Sequence, residues 1–142
     1  MVQKRILLLE DDHIQRDYVK DTLEKRFRVT VATLSCEKSF IDGFEAIATA
    51  PPDLAILDVM LMWARPSREA SEGEGHTSPE EAGVRCAERF LADPRTLATR
   101  VVLYSVFPEA DIVGRDRVPG VPVVVKEPDC ENLIDAILGM MG

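Results

Sequence analysis

Continuous apolar runs recur along the chain: Ile6-Leu7-Leu8-Leu9, Leu54-Ala55-Ile56-Leu57, Val101-Val102-Leu103-Tyr104 and Val121-Pro122-Val123-Val124-Val125. Runs of this length without polar alternation suit strands buried on both faces, hence a parallel sheet covered by helices. Residues 28–33 alternate polar and apolar instead, as a strand with one wet side does at a sheet edge. Between the runs the period changes to that of a helix. Ile14, Tyr18, Val19 and Leu23 mark one apolar face, and Phe40, Phe44, Ile47 and Ala48 a second. Val84, Ala87, Phe90 and Leu91 mark a third, and Leu133, Ile134, Ile137, Leu138 and Met141 a fourth. Ser78-Pro79-Glu80-Glu81 has the form of a helix start, with Ser as N-cap, Pro at the first position and Glu at the third. Residues 109–115 are only weakly helical and are followed by Pro119 and Gly120, so a short or irregular fourth helix is expected there.

Strand and helix thus alternate five times, the signature of an open α/β sheet with right-handed crossovers. The alternating strand comes second and belongs at an edge. That favours the flavodoxin-like order 2-1-3-4-5, with helices on both faces and a switch point between the first and third strands. Residues 63–78 break the rhythm. They are rich in Ser, Glu, Gly, Pro and Arg and read as a long surface loop between the third strand and the third helix.

Length adds that 142 residues make one domain, taken as residues 1–142. Charge narrows the partners. Lys and Arg number 17 against 25 Asp and Glu, a net charge of −8, which disfavours direct binding to nucleic acid or to an anionic membrane surface. No apolar run approaches the length of a bilayer span. Cys36, Cys86 and Cys130 form no CxxC pair and no disulfide framework, which suits three half-buried thiols in a reducing cytoplasm.

Ligands of such a sheet bind outside the carboxyl ends of its strands. There the first strand ends in Glu10-Asp11-Asp12, the third in Asp58, the fourth in Ser105 and the fifth in Lys126. Glu10, Asp11 and Asp58 crowd like charges together and are expected to raise one another's pKa values. A hard divalent cation with oxygen ligands relieves that repulsion, and Mg²⁺ is the natural candidate. Asp58, beside metal, hydroxyl and ammonium, can act as a nucleophile towards phosphorus, while the metal, Ser105 and Lys126 hold the equatorial phosphoryl oxygens. A capping role for Asp12, a turn role for Asp58 and surface ends for Ser105 and Lys126 are the simpler alternative. No Gly-rich phosphate loop is present, and His13 and His76 have no ligand-spaced partners.

These residues resemble the receiver domain of two-component response regulators. The resemblance rests on Ile6-Leu7-Leu8-Leu9-Glu10-Asp11-Asp12, Leu57-Asp58-Val59-Met60-Leu61, Leu103-Tyr104-Ser105 and Lys126-Glu127-Pro128-Asp129, and spans nearly the whole chain except residues 63–78. It implies that Asp58 accepts a phosphoryl group from a histidine kinase or phosphotransfer protein. It implies further that Glu10, Asp11, Asp58 and the backbone carbonyl of Met60 bind Mg²⁺, that Ser105 and Lys126 contact the phosphoryl group, and that Asp12 caps the first helix. The chain would then be a signalling domain rather than an enzyme, acting through a downstream protein, with a homodimer as one option. Three positions depart from the family's pattern. Glu127 stands where a cis-proline usually follows the lysine, so the Lys126–Glu127 bond is expected to be trans. Val106 replaces a small residue beside Ser105, and Val123 replaces a switching aromatic three residues before Lys126. With the long loop at 63–78 they give weight to a second reading, a pseudo-receiver that binds partners without phosphorylation. An aspartyl phosphohydrolase is more distant, because such enzymes want a second Asp where Met60 stands.

Overall fold

The computed structural model describes residues 3–64 and 78–141. Five parallel strands form one sheet: β1 (Lys4–Leu9), β2 (Val29–Leu34), β3 (Leu54–Asp58), β4 (Arg100–Ser105) and β5 (Val123–Val125). Their order is β2-β1-β3-β4-β5, as the sequence pattern predicts. The alternating strand β2 does lie at an edge, with Val29 and Val31 buried and Thr30 and Ala32 exposed. Among the described residues four α-helices cover the sheet: α1 (His13–Arg26), α2 (Glu37–Thr49), α3 (Ala82–Ala92) and α4 (Glu131–Met141).

Side chains alternate across each strand, so the central strands feed two cores. Leu7, Leu9, Ala55, Leu57 and Leu103 pack with Phe40, Phe44, Val84, Ala87 and Phe90 of α2 and α3. Ile6, Leu8, Leu54, Ile56, Val102 and Tyr104 pack on the other face with Val19, Leu23, Leu133, Ile134 and Ile137 of α1 and α4. Strand β1 pairs with both β2 and β3, which makes the β1/β3 boundary the switch point. Strand order reverses there, and the crevice above it is where a ligand is admitted.

Several local expectations give way to tertiary contacts. Ile14 is 70% exposed and Tyr18 45%, so the buried stripe of α1 is only Val19 and Leu23. Leu91 and Leu138 also face solvent at the ends of their helices' apolar faces; the side chain of Met141 lies outside the described residues. Ser78 precedes a 3-10 turn, Pro79–Glu81, and its hydroxyl caps nothing; α3 itself starts at Ala82. All three cysteines are buried thiols rather than half-buried ones.

The connection from β4 to β5 contains no α-helix, only 3-10 turns at Glu109–Asp111 and Arg115–Arg117. Pro108, Pro119 and Pro122 cannot donate to a helical ladder, and Gly114 turns the chain at φ 83°. Arginines hold the segment instead. Arg115 donates to Glu109 Oε1 at 2.8 Å and to the carbonyls of Val118 and Pro119. Arg117 reaches Glu81 at 2.7 Å and Glu88 at 3.1 Å on the α3 side. The expected long loop at 63–78 falls mostly on residues 65–77, which lie outside the described residues.

Candidate phosphoryl and metal site

The carboxyl ends of β1, β3, β4 and β5 bring four of the expected side chains to one rim. Asp58 is the last residue of β3 and is 7% exposed. Glu10 follows β1 and is 1% exposed; its backbone N–H donates to the Leu34 carbonyl at 3.0 Å, which fixes the turn out of the sheet. Asp12 accepts the N–H groups of Ile14 and Gln15 at 2.9 and 3.3 Å and so caps α1, as its position implies. Asp11, between them, is exposed. Ligand oxygens of Glu10, Asp11 and Asp58 lie within 4.8 Å of one another.

Lys126 enters from the end of β5. Its Nζ stands 2.6 Å from Glu10 Oε1 and 3.2 Å from Asp58 Oδ2. No peptide bond among the described residues is cis, so the Lys126–Glu127 bond is trans as expected, and Lys126 still reaches the carboxylates. Ser105, 1% exposed at the end of β4, accepts the Phe107 N–H at 2.8 Å. Its hydroxyl proton is left for a further acceptor. Strand register pairs Asp58 with Tyr104, so Ser105 sits one position beyond Asp58 on the neighbouring strand. Met60 lies two residues past β3 with its side chain exposed.

The electrostatics differ in one respect from mutual elevation. Burial, then a hydrogen bond and repulsion from Glu10, push Asp58 up to about 8, against an ordinary value of 3.8. Asp11 also rises, through burial and the charge of Glu10. Glu10 moves the other way. Burial raises it, but hydrogen bonds with Asp58 and Lys126, the charge of Lys126 and the Asp12 N–H together outweigh burial and lower it. One proton is therefore shared asymmetrically. Asp58 is pushed towards its neutral form and Glu10 towards its charged one, because the hydrogen bond with Asp58 and the nearer ammonium of Lys126 both favour an ionised Glu10.

Three oxygen-donor carboxylates around a half-neutralised pocket fit a hard divalent cation, whose charge would displace the proton on Asp58. Glu10 is the most heavily committed of the three, with Oε1 on Lys126 and Oε2 on the Asp12 N–H at 3.3 Å.

Other contacts around the site have little signal in the sequence. A Cβ on Gly83 would lie 2.3 Å from the Asp58 carbonyl oxygen and 2.7 Å from Val59 Cα, so only glycine lets α3 seat directly on the backbone of Asp58. Its one trace is a glycine early in a helical pattern. Glu37, buried at the start of α2, binds Arg85 of α3 through two hydrogen bonds of 2.7 and 2.6 Å. Arg85 also donates to the Ser78 carbonyl at 2.7 Å, so one guanidinium ties α2 to the entry of α3. Arg16 donates to the Glu10 carbonyl at 3.2 Å.

No protein-family model matches the sequence, and no curated protein does. Solved structures do resemble it. The BeF3-activated receiver domain of DrrB is 17% identical with a TM-score of 0.69, covering 99% of this chain and 98% of that one. The bacteriophytochrome response regulator AtBRR is 18% identical at a TM-score of 0.69, covering 99% and 94%. The response regulator TrrA of Thermotoga maritima, in complex with Mg²⁺ and BeF, is 17% identical at 0.68, covering 96% and 98%. The chain has the receiver-domain fold of response regulators, the CheY-like form of the flavodoxin-like sheet.

Proposed function

We propose that this chain is a phosphorylation-dependent signalling receiver that accepts a phosphoryl group on Asp58 from a histidine kinase or phosphotransfer protein, with Mg²⁺. The observation that carries the reading is the convergence of Asp58, Glu10, Asp11 and Lys126 at the switch point of the sheet. A carboxylate oxygen of Asp58 would attack phosphorus in line. The new bond is an acyl phosphate, and the bond broken is P–N of a phosphohistidine, or P–O of a small acyl phosphate donor, whose electron pair leaves with the donor. Lys126 Nζ, 3.2 Å from Asp58 Oδ2, would take a phosphoryl oxygen as charge builds there. The Ser105 hydroxyl donates to a second. Glu10, Asp11, Asp58 and the Met60 carbonyl would hold Mg²⁺, which when bound neutralises charge on the phosphoryl oxygens.

The domain would act as a switch read by a downstream protein rather than as an enzyme with a diffusible substrate, and a cytoplasmic setting goes with this reading. No helix among the described residues is long and apolar enough to cross a membrane. Incubation with acetyl phosphate or phosphoramidate and Mg²⁺, followed by intact mass, tests the proposal. One added phosphoryl group is expected on the wild type and none on Asp58→Asn. Absence of phosphorylation with both donors, or its survival in Asp58→Asn, overturns it. The first of those results leaves the pseudo-receiver reading, to which the departures at Glu127, Val106 and Val123 and the expected long loop at 63–78 belong.

A further inference from the structure

Lys126 is aimed at Asp58 without a cis-proline turn behind it, so other contacts fix its direction. Its N–H donates to the Ser105 carbonyl at 2.7 Å, which sets the end of β5 but leaves the side-chain torsions free. The ammonium lies over the ring of Tyr104, 5.3 Å from the ring centre. Tyr104 is buried in the core between the sheet, α1 and α4. Its hydroxyl donates to Cys130 Sγ at 3.7 Å.

Cys130 is unusual in its own right. Its φ is 61°, the left-handed region that side chains other than Gly, Asn and Asp rarely adopt. Strain of this kind persists only where the surroundings over-determine it. The surroundings here are specific. The Cys130 N–H closes the turn onto the Glu127 carbonyl at 3.3 Å, and the Cys130 carbonyl starts α4 by accepting the Ile134 N–H at 3.0 Å. The Asn132 amide reaches back to the Val125 carbonyl at 3.1 Å. The turn that carries Lys126 is thus pinned at its far end by the tyrosine whose ring lies under the ammonium.

We infer that Tyr104 is a positioning residue for Lys126: its ring face carries the ammonium, and its hydroxyl, through Cys130, fixes the 126–130 turn that delivers the lysine to Asp58. The role goes beyond packing, because a leucine would fill much of the same core volume yet offer no negative ring face to a cation. The consequence for phosphoryl transfer rests on Asp58 being the acceptor; the positioning itself does not.

Two readouts separate these levels. In the metal-free protein, ring current from Tyr104 should move the Lys126 Hε protons upfield in the NMR spectrum. The shift should weaken in Tyr104→Phe, which keeps the ring but loses the hydroxyl tie to Cys130, and vanish in Tyr104→Leu. An unshifted Lys126 in the wild type overturns the inference even if Tyr104→Leu does not fold. Second, the rate of phosphorylation by acetyl phosphate should fall about tenfold in Tyr104→Leu, the scale of one partly desolvated cation–π contact. The same substitution should cost nothing further in a Lys126→Ala background, because the effect passes through the lysine. Equal losses in both backgrounds mark a merely structural residue and overturn the role. If the wild type takes no phosphoryl group, the acceptor reading of Asp58 fails, and the ring-current shift alone decides whether Tyr104 holds Lys126.

Discussion

Replacing Asp58 with Asn should stabilise the metal-free protein, by an amount that grows with pH. Asp58 titrates near 8 in the fold against 3.8 for an ordinary aspartate. Between those values the folded protein keeps a proton that the unfolded chain has released, so unfolding releases a proton and stability falls as pH rises. The contribution is intact below about pH 4 and is lost as pH approaches 8. Each tenfold change in proton affinity corresponds to about 1.4 kcal/mol, so the step from an ordinary aspartate to this one sets a ceiling of roughly 5–6 kcal/mol. Lys126 and Glu10 share the charge of the site, and water can enter as Asp58 ionises, so a measured span of about 2–3 kcal/mol is expected. Asparagine keeps the shape and can donate its amide to Glu10, but it never carries the charge. Urea unfolding of both proteins in EDTA at pH 5, 6, 7 and 8 gives the comparison. Neither other charged partner confuses the window. Glu10, with its lowered pKa, adds stability that is lost only as pH falls below its ordinary 4.5, and Lys126, with its raised pKa, titrates above 10.5. Mg²⁺ should oppose the trend, stabilising the wild type more at pH 8 than at pH 6, because protons and metal compete for the same oxygens. Parallel stability curves for wild type and Asp58→Asn across this range would refute the protonated-aspartate account.

Calorimetry should show Mg²⁺ binding that weakens at least about tenfold in Asp11→Asn or Asp58→Asn; Trp63 fluorescence supplies a second readout, and equal affinities would remove the metal site. If Asp58 takes a phosphoryl group, Val106, 65% exposed beside Ser105, is expected to hinder in-line attack by water with its stiff branched side chain, so Val106→Ala should speed loss of that group. An unchanged decay rate by intact mass sinks that steric account. Gly83→Ala should cost about 3 kcal/mol or more, since its Cβ meets backbone at 2.3 Å and cannot be accommodated by a side-chain shift; a urea midpoint equal to the wild type counts against it. Arg85→Ala should cost about 3–5 kcal/mol by leaving Glu37 buried and unpaired, and Glu37→Gln in that background should recover part of the loss.

Much of this protein is legible in the sequence because its signals are local. Four unbroken apolar runs and one alternating run are read directly as a parallel sheet with an edge strand, and they place Glu10, Asp58, Ser105 and Lys126 at a common rim. The misreadings share a cause: they concern residues whose state depends on a distant neighbour. Ile14 satisfies the helical period of α1, but it sits in the first turn and is 70% exposed. Three like carboxylates suggest a common elevation of pKa, yet the hydrogen bond with Asp58 and the charge of Lys126, 116 positions further along the chain, lower Glu10 while Asp58 rises.

The same reasoning bears on the absent proline. Sequence alone sets Glu127 against the aim of Lys126, because the local device that fixes the turn is missing. The fold supplies non-local ones: a buried tyrosine on β4, a left-handed cysteine at the start of α4, and the Ser105 carbonyl holding the lysine's own N–H. None of these residues has a pattern that marks it in isolation. Tyr104 reads as one more apolar position in a strand, and Cys130 as a small residue before a helix. Their chemistry appears only in the folded chain, which brings Tyr104 under the lysine and Cys130 against the Tyr104 hydroxyl. A departure from a local motif is therefore weak evidence against a site whose geometry is held by tertiary contacts, and here Lys126 keeps Nζ within 3.2 Å of Asp58 through a trans turn.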